Sequence, residues 1–352
     1  MSVRGSALRW SATKWRVYRV IALTCLACCA IAQATAQPVV EGKSDFSFAV
    51  TGTAIGDNDR GTRTVLRAID DSAARFIVHF NLSQPSGASC SAAAIDRRRE
   101  ALERNPKPIV PVVSASEWST CGGPATDPEE RLARVGDAFY SSDESLGQSR
   151  LHWSRQSSVP RFHRYRENLR WQAGNALFVV FNLPDNNNNF RFGAGRNGEF
   201  EERLVANRVW LERAFRFAAE RHLAGIVIFV DAAPRFGTPM RAPDLRGRER
   251  DGYYEWKVAL RDLTSTFRGQ VLLVQGHVVP LTPPLEEPDH PLRDATGKTL
   301  THFTRVALPD VAAGSTWVRI GVDPKGPKLF RIATEHVFDD PSGELYGPAR
   351  VK

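Results

Sequence analysis

The sequence predicts an α/β layered domain. Eight short apolar runs read as strands, five helical patterns lie between many of them, and neither a low-complexity linker nor an internal repeat divides residues 37–352. A chain of that length can bury one large core.

The residues ahead of this domain read as a leader. Arg4, Arg9, Lys14, Arg16 and Arg19 occur with no acid among them, then the apolar run Val20 to Ala32, then Ala34-Thr35-Ala36. This order reads as a secretory signal peptide over residues 1–36, cleaved after Ala36. The run falls short of the roughly 20 residues a membrane span needs. A buried first helix does not suit clustered arginines ahead of a run without helical periodicity. Leu26-Ala27-Cys28-Cys29 leaves lipoprotein export as the alternative to soluble export. The expected location is periplasmic or secreted, with no membrane span after cleavage.

The leader also inflates the charge. It takes five of the 47 Lys and Arg residues, leaving 42 against 39 Asp and Glu, a net charge of +3 where the whole chain carries +8. That balance argues against nucleic acid as a partner. The arginine-rich stretch Arg150 to Arg170 also holds Ser157, Ser158, Pro160 and Glu167, and reads as a solvated surface segment. Cys25, Cys28 and Cys29 leave with the leader. Cys90 and Cys121 remain as an even pair and are expected to form a disulfide in an oxidising compartment. Each follows a strand-end loop, so the bond would pin two loops together, with a chain-entropy contribution on the order of 3 to 4 kcal/mol.

The strand readings are Phe46–Val50, Arg75–Phe80, Ile109–Val113, Ala176–Asn182, Gly225–Asp231, Val271–Gln275, Trp317–Val322 and Lys328–Ala333. The helical readings are Arg63–Ala74, Ala92–Arg104, Pro128–Tyr140, Phe200–Arg221 and Tyr253–Phe267. In Phe200–Arg221 the residues Phe200, Leu204, Leu211, Phe215 and Ala218 share one face, with Glu201, Glu202, Arg208, Glu212 and Arg213 left for solvent. This is a cover helix without a catalytic role. Between Pro184 and Gly198 the chain turns polar, with Asn186 to Asn189 in a row, and reads as a surface loop beside the ligand mouth.

Four strand-end turns carry the functional signal. Phe46–Val50 runs into Thr51-Gly52-Thr53, and Phe76-Ile-Val-His79 into Phe80-Asn81-Leu82. Ile109–Val113 leads to Ser114-Ala115-Ser116-Glu117-Trp118, and Val271–Val274 to Gln275-Gly276-His277-Val278-Val279. In this frame, with Gly52, His79, Cys90, Glu117, Trp118, Cys121 and Gly276, the chain resembles the calcineurin-like metallophosphoesterases, in particular a secreted bacterial branch. Further fragments match in order: Ser145-Leu-Gly147, Arg155-Gln-Ser157, Glu167-Asn168 with Trp171, Ala206-Asn207 with Trp210-Leu211, Phe303-Thr-Arg-Val306, and Trp317-Val318 leading to Asp323-Pro324. The resemblance covers most of residues 37–352 and implies that family's layered α-β-β-α sandwich and a site for two divalent metals.

The metal chemistry does not follow. Two cations need carboxylates and imidazoles at the strand ends. Where the family places its aspartates after the first two strands, this chain has Thr53 and Leu82. The third turn has Ala115-Ser116 for an Asp-Asn pair. The late motif has Gln275 and Val279 at two imidazole positions and His277 at the aspartate between them, and Asn182 stands where a further histidine is expected. No cofactor is therefore expected, and no catalytic or metal residue is assigned.

The polar remnants of the mouth are Asp57, Asp59, His79, Glu117, Asp231 and His277. A rebuilt site would place Asp57 in the role lost at Thr53 and take one imidazole from His277. The plainer reading makes Asp57-Asn58-Asp59 a turn ahead of a helix, with His79 and Glu117 hydrogen-bonding their own loops and Trp118 packing. No Gly-x-Ser-x-Gly elbow or phosphate-cradling glycine loop follows a strand. Two functions are thus in play. One is an exported, catalytically silent protein, a pseudoenzyme whose cleft binds a small ligand or a protein partner. The other is a metal-dependent phosphoester hydrolase with a relocated or single-metal site.

Overall fold

The computed structural model describes residues 45–53, 60–82, 89–121, 127–191, 197–236, 250–279, 291–309 and 315–337. The expected leader, Asp57 and Asp59 lie outside these residues. In chain order the elements are β1 (Phe46–Thr53), α1 (Arg60–Asp70), β2 (Ala74–Asn81), α2 (Ala92–Glu103), β3 (Ile109–Val112), α3 (Pro128–Phe139), β4 (Ser154–Arg155), β5 (Leu169–Ala173) and β6 (Ala176–Val180). Then follow α4 (Gly198–Glu220), β7 (Gly225–Val230), α5 (Tyr254–Thr266), β8 (Gln270–Val279), β9 (Phe303–Pro309), β10 (Ser315–Val322) and β11 (Phe330–Val337). The chain is mixed α/β with two mixed sheets.

The first sheet has the order β11-β10-β1-β2-β3 and the second β4-β5-β6-β7-β8-β9. β1, β2 and β3 are parallel, while β10 and β11 join antiparallel beside β1. In the second sheet β6, β7, β8 and β9 are parallel, with β4 and β5 antiparallel at one edge. Every residue of β6 and β7 is buried, as expected of parallel strands covered on both faces, which read as unbroken apolar runs.

Alternation along the strands sets what each face meets. Phe48 and Phe76 of the first sheet meet Phe178 of the second, with ring centroids 5.2 and 5.3 Å apart and edges turned to faces. Trp171 stacks on Phe178 and Phe229 and closes this aromatic layer between the sheets. The alternate residues of β6, β7 and β8, including Val179, Ile228 and Leu273, pack instead with Trp210, Leu211 and Phe215 of α4 and Trp256 and Leu260 of α5. On the first sheet, α1 supplies Val65, Leu66 and Ile69 to the core. Parallel strands need such crossovers, and the helices bury the outer faces.

Several sequence readings need correction. The helix expected over Arg63–Ala74 ends at Asp70, because Ser72 Oγ donates to Ile69 O at 2.6 Å and accepts from Ala74 N at 3.2 Å. That side chain ends the helix and releases Ala74 into β2. β4, β5 and β9 were not expected as strands, and β8 continues to Val279, beyond the expected end at Gln275. The asparagine run is not a surface loop throughout: Asn188 and Asn189 are buried, and Asn187, Asn188 and Asn189 have φ of 53, 58 and 54°. Asparagine enters this left-handed region more readily than most residues.

Candidate functional site at the strand ends

The turns after β3, β6 and β7 meet at one end of the two sheets, and hydrogen bonds join them. Asp231 directly follows β7. Its Oδ2 accepts from Ala115 N at 2.7 Å and from Asp185 N at 3.1 Å, tying the turn after β3 to the turn after β6. Ser119 Oγ adds a bond to Asn186 Oδ1 at 3.1 Å. Burial raises the Asp231 carboxyl to about 7, which the two backbone N–H donors and the Arg98 charge only partly offset.

Below this junction lies Arg98, on the buried stripe of α2 with Ile95 and Leu102. It forms a buried ion pair with Glu117, and its Nη2 lies 3.2 Å from His79 Nδ1. A guanidinium can only donate, so Nδ1 accepts. Burial, with the Arg98 charge beside it, holds the His79 imidazole well below its ordinary range, so the ring is neutral. Burial also lowers Arg98, to about 10, and it remains a cation at neutral pH. Phe139 covers it, with the guanidinium carbon 4.8 Å from the ring centroid. The other oxygen of Glu117 accepts from Ser114 N at 2.9 Å, closing a capping box on the short turn Ala115–Glu117.

A second buried network surrounds Arg203 of α4. Arg203 donates to Glu199 Oε1 at 2.5 Å, to Asn188 O at 2.8 Å and to the Asn188 side-chain oxygen, and its guanidinium carbon lies 5.4 Å from the Trp118 ring. Asn182 N donates to Asn168 Oδ1 at 2.8 Å, and Asn182 Nδ2 to Glu167 Oε1 at 2.8 Å. Asn168 Nδ2 reaches Gln156 Oε1 at 2.7 Å and Asn207 Oδ1 at 2.9 Å. Burial raises the Glu167 carboxyl, with the Asn182 bond opposing the shift. Glu167, Asn168 and Asn207 are thus joined through Asn182, and Gln156 is joined to them through Asn168.

His79 and Glu117 are therefore brought together through Arg98, and Asp231 joins the same turn at Ala115. Asp57 lies outside the described residues. His277 belongs to β8 by its backbone, while its side chain, like those of Thr53 and Val279, lies outside them. Among the described residues no group of three His, Cys, Asp or Glu side chains is placed to hold a metal ion. The donors among the described residues do not fit the two-metal centre the resemblance implies. Leu82 and Ala115 have no lone pair. Glu117 and His79 already face a buried cation, and both Asp231 contacts are backbone donors. Thr51 Oγ1 and Asn182 Oδ1 are buried without a hydrogen-bond partner among the described residues, but two neutral oxygens are a poor set for a divalent cation.

Leu82, Leu308 and Phe80 pack against the glycines of these turns. A Cβ at Gly52 would collide with the Leu82 side chain and lie 3.2 Å from Leu308, so a larger residue there would have to displace Leu82. Gly276 is equally confined, with Phe80 and Asp231 O beside it. Trp118 is fully buried and packs, as the plainer reading of its sequence suggested.

The disulfide joins Cys90 to Cys121, with Cα atoms 5.4 Å apart. Arg131 reinforces it, donating to Cys90 O and, at 3.1 Å, to Glu117 O. The bond thus clamps the segment before α2 to the turn that carries Glu117. Among the described residues no helix is long and apolar enough to cross a membrane. The arginines of Arg150 to Arg170 largely pair with surface acids, including Arg155 with Asp143 at 2.7 Å and Arg164 with Glu129 at 3.0 Å. Within that stretch Glu167 and Asn168 are buried, contrary to a wholly solvated segment. No protein-family model matches the chain, and no curated protein matches it.

Proposed function

We propose that the chain is an exported, catalytically silent relative of the calcineurin-like metallophosphoesterases, whose α-β-β-α scaffold is kept for binding a small ligand or a partner. One observation carries the reading: Arg98, a fixed internal cation, takes up Glu117 and contacts His79. A buried guanidinium opposes a divalent ion nearby, and Leu82 and Ala115, at two positions where the resemblance implies ligands, offer none. The convergence of Gln156, Glu167, Asn168 and Asn207 in one network supports the family resemblance, because three of its separate sequence fragments meet there. The disulfide supports export into an oxidising compartment.

The test is refolding of the disulfide-bonded protein with Mn²⁺, Fe²⁺ or Zn²⁺, followed by metal analysis and hydrolysis of a chromogenic phosphodiester. The expected result is no stoichiometric metal and no turnover above that of the free ion. Stoichiometric metal with turnover abolished by His277→Ala would replace this reading with that of a relocated-site hydrolase.

A further inference from the structure

A cleft of about 930 Å³ opens where the ends of α4 and α5 meet the turn between β10 and β11. It lies at the opening ends of β7 and β8, whereas Asp231 follows the far end of β7. About 20 Å of extended strand therefore separates the cleft from the loops discussed above, and its volume falls within the range of small-molecule sites.

Its walls and rim differ in character. Phe215, Leu223 and Leu329 form a buried apolar surface, extended by the half-buried Leu263 and Phe267, and the rings of Phe215 and Phe267 meet edge to face at 5.6 Å. Both acids at the cleft already have partners. Glu212 accepts from Arg208 at 3.0 Å, while Asp323 accepts the N–H groups of Lys325 and Gly326, each at 3.0 Å, and pairs with Arg331 at 3.4 Å. Arg216 and Arg268, both exposed on the lining, have neither a hydrogen bond nor an ion pair among the described residues. His222 stands beside them in the left-handed region at φ 51°, where it ends α4 with Leu223 N bonded to Ala218 O at 2.9 Å. Glycine is the usual residue at this helix-ending position, so the imidazole is held at the rim at some conformational expense.

An apolar ligand would leave the two guanidinium groups unmatched, and a small hydrophilic anion would leave the walls wet. We propose that the cleft binds an amphipathic anion, an acyl or aryl chain ending in a carboxylate, with its apolar body against Phe215, Leu263 and Phe267 and its charge held by Arg216 and Arg268. Charge-assisted pairing of guanidinium with carboxylate supplies orientation, and the apolar wall supplies the driving force.

Calorimetric titration of the full disulfide-bonded protein with decanoate and with decanol tests this. Saturable binding of decanoate is expected, about ten-fold or more tighter than decanol and about ten-fold or more weakened in the Arg216→Ala, Arg268→Ala double variant. Absence of saturable decanoate binding, or equal affinity for the two ligands, would overturn the proposal. So would undiminished binding by the double variant. The replaced side chains are exposed and unpaired, so an unchanged melting temperature is expected. If it falls, the Arg216→Lys, Arg268→Lys variant must retain decanoate binding, and its failure to do so would also refute the site.

Discussion

Arg98 and Arg203 are both buried arginines projecting from cover helices toward the loops at the strand ends, but their surroundings differ. Arg98 meets a fully buried carboxylate and a neutral imidazole, so its network rests on one ion pair. Arg203 meets a partly exposed glutamate together with oxygens of Asn188, and its network spreads through asparagine and glutamine amides. A buried ion pair adds little over an apolar replacement of the whole pair, yet removing one partner is costly. An amide network divides its strength among many weaker bonds. The first region should therefore be brittle and the second tolerant.

The largest expected effect is at the first arginine. Arg98→Leu should lower unfolding stability by about 3–5 kcal/mol, because it strands Glu117 in the interior. Adding Glu117→Gln should recover part of the loss, and urea unfolding of the single and double variants measures both. If the two substitutions were simply additive, the ion pair would not be the unit that matters.

A smaller effect separates Asp231 from both arginines. Its carboxyl lies at about 7 in the fold against an ordinary 3.8, so the folded chain binds this proton more tightly than the unfolded one. Its contribution to stability is complete below the ordinary value and is lost as pH rises to the folded one. Between pH 5 and 7.5 this amounts to roughly 2–3 kcal/mol of declining stability. Asp231→Asn should flatten that part of the stability–pH curve, as read by denaturant melts at several pH values. An unchanged slope would place the titration elsewhere.

Arg203→Met should cost less, about 1–3 kcal/mol, from the oxygens of Asn188 left without donors. Thermal melts compare it with Arg98→Leu, and a larger loss at Arg203 would reverse the contrast. Smallest of all is Arg208→Ala, one turn further along α4. It breaks an exposed pair with Glu212, and a change of under about 0.5 kcal/mol is expected from the same melts.

Much of this architecture was legible in the sequence, because strands buried on both faces leave long apolar runs. β6, β7 and the start of β8 are of this kind. β4 has only two residues and β5 interleaves Arg170 and Gln172 with its apolar side chains, so neither stood out. The site was less legible. His79, Glu117 and Asp231 were singled out, but Arg98 and Arg203, which decide what those groups can do, were missed. A signal existed for both: Ile95, Arg98 and Leu102 share one helical face, as do Phe200, Arg203, Leu204 and Asn207. Helical spacing that places a charged residue on an apolar stripe marks an internal ion. No sequence spacing could show that Asp231 reaches Ala115, since 116 positions separate them.

The neighbour relations of β1 carry a consequence for how the protein is made. β1 bonds on one side to β2, close behind it, and on the other to β10, which follows only after β9. During synthesis that second edge must wait, open and able to pair wrongly, until all the elements between β1 and β10 have been added. Long-range pairing of this sort slows folding. The hairpin of β10 and β11 is thus the latch of the first sheet, and a truncation that removes it would leave β1 with one edge bare.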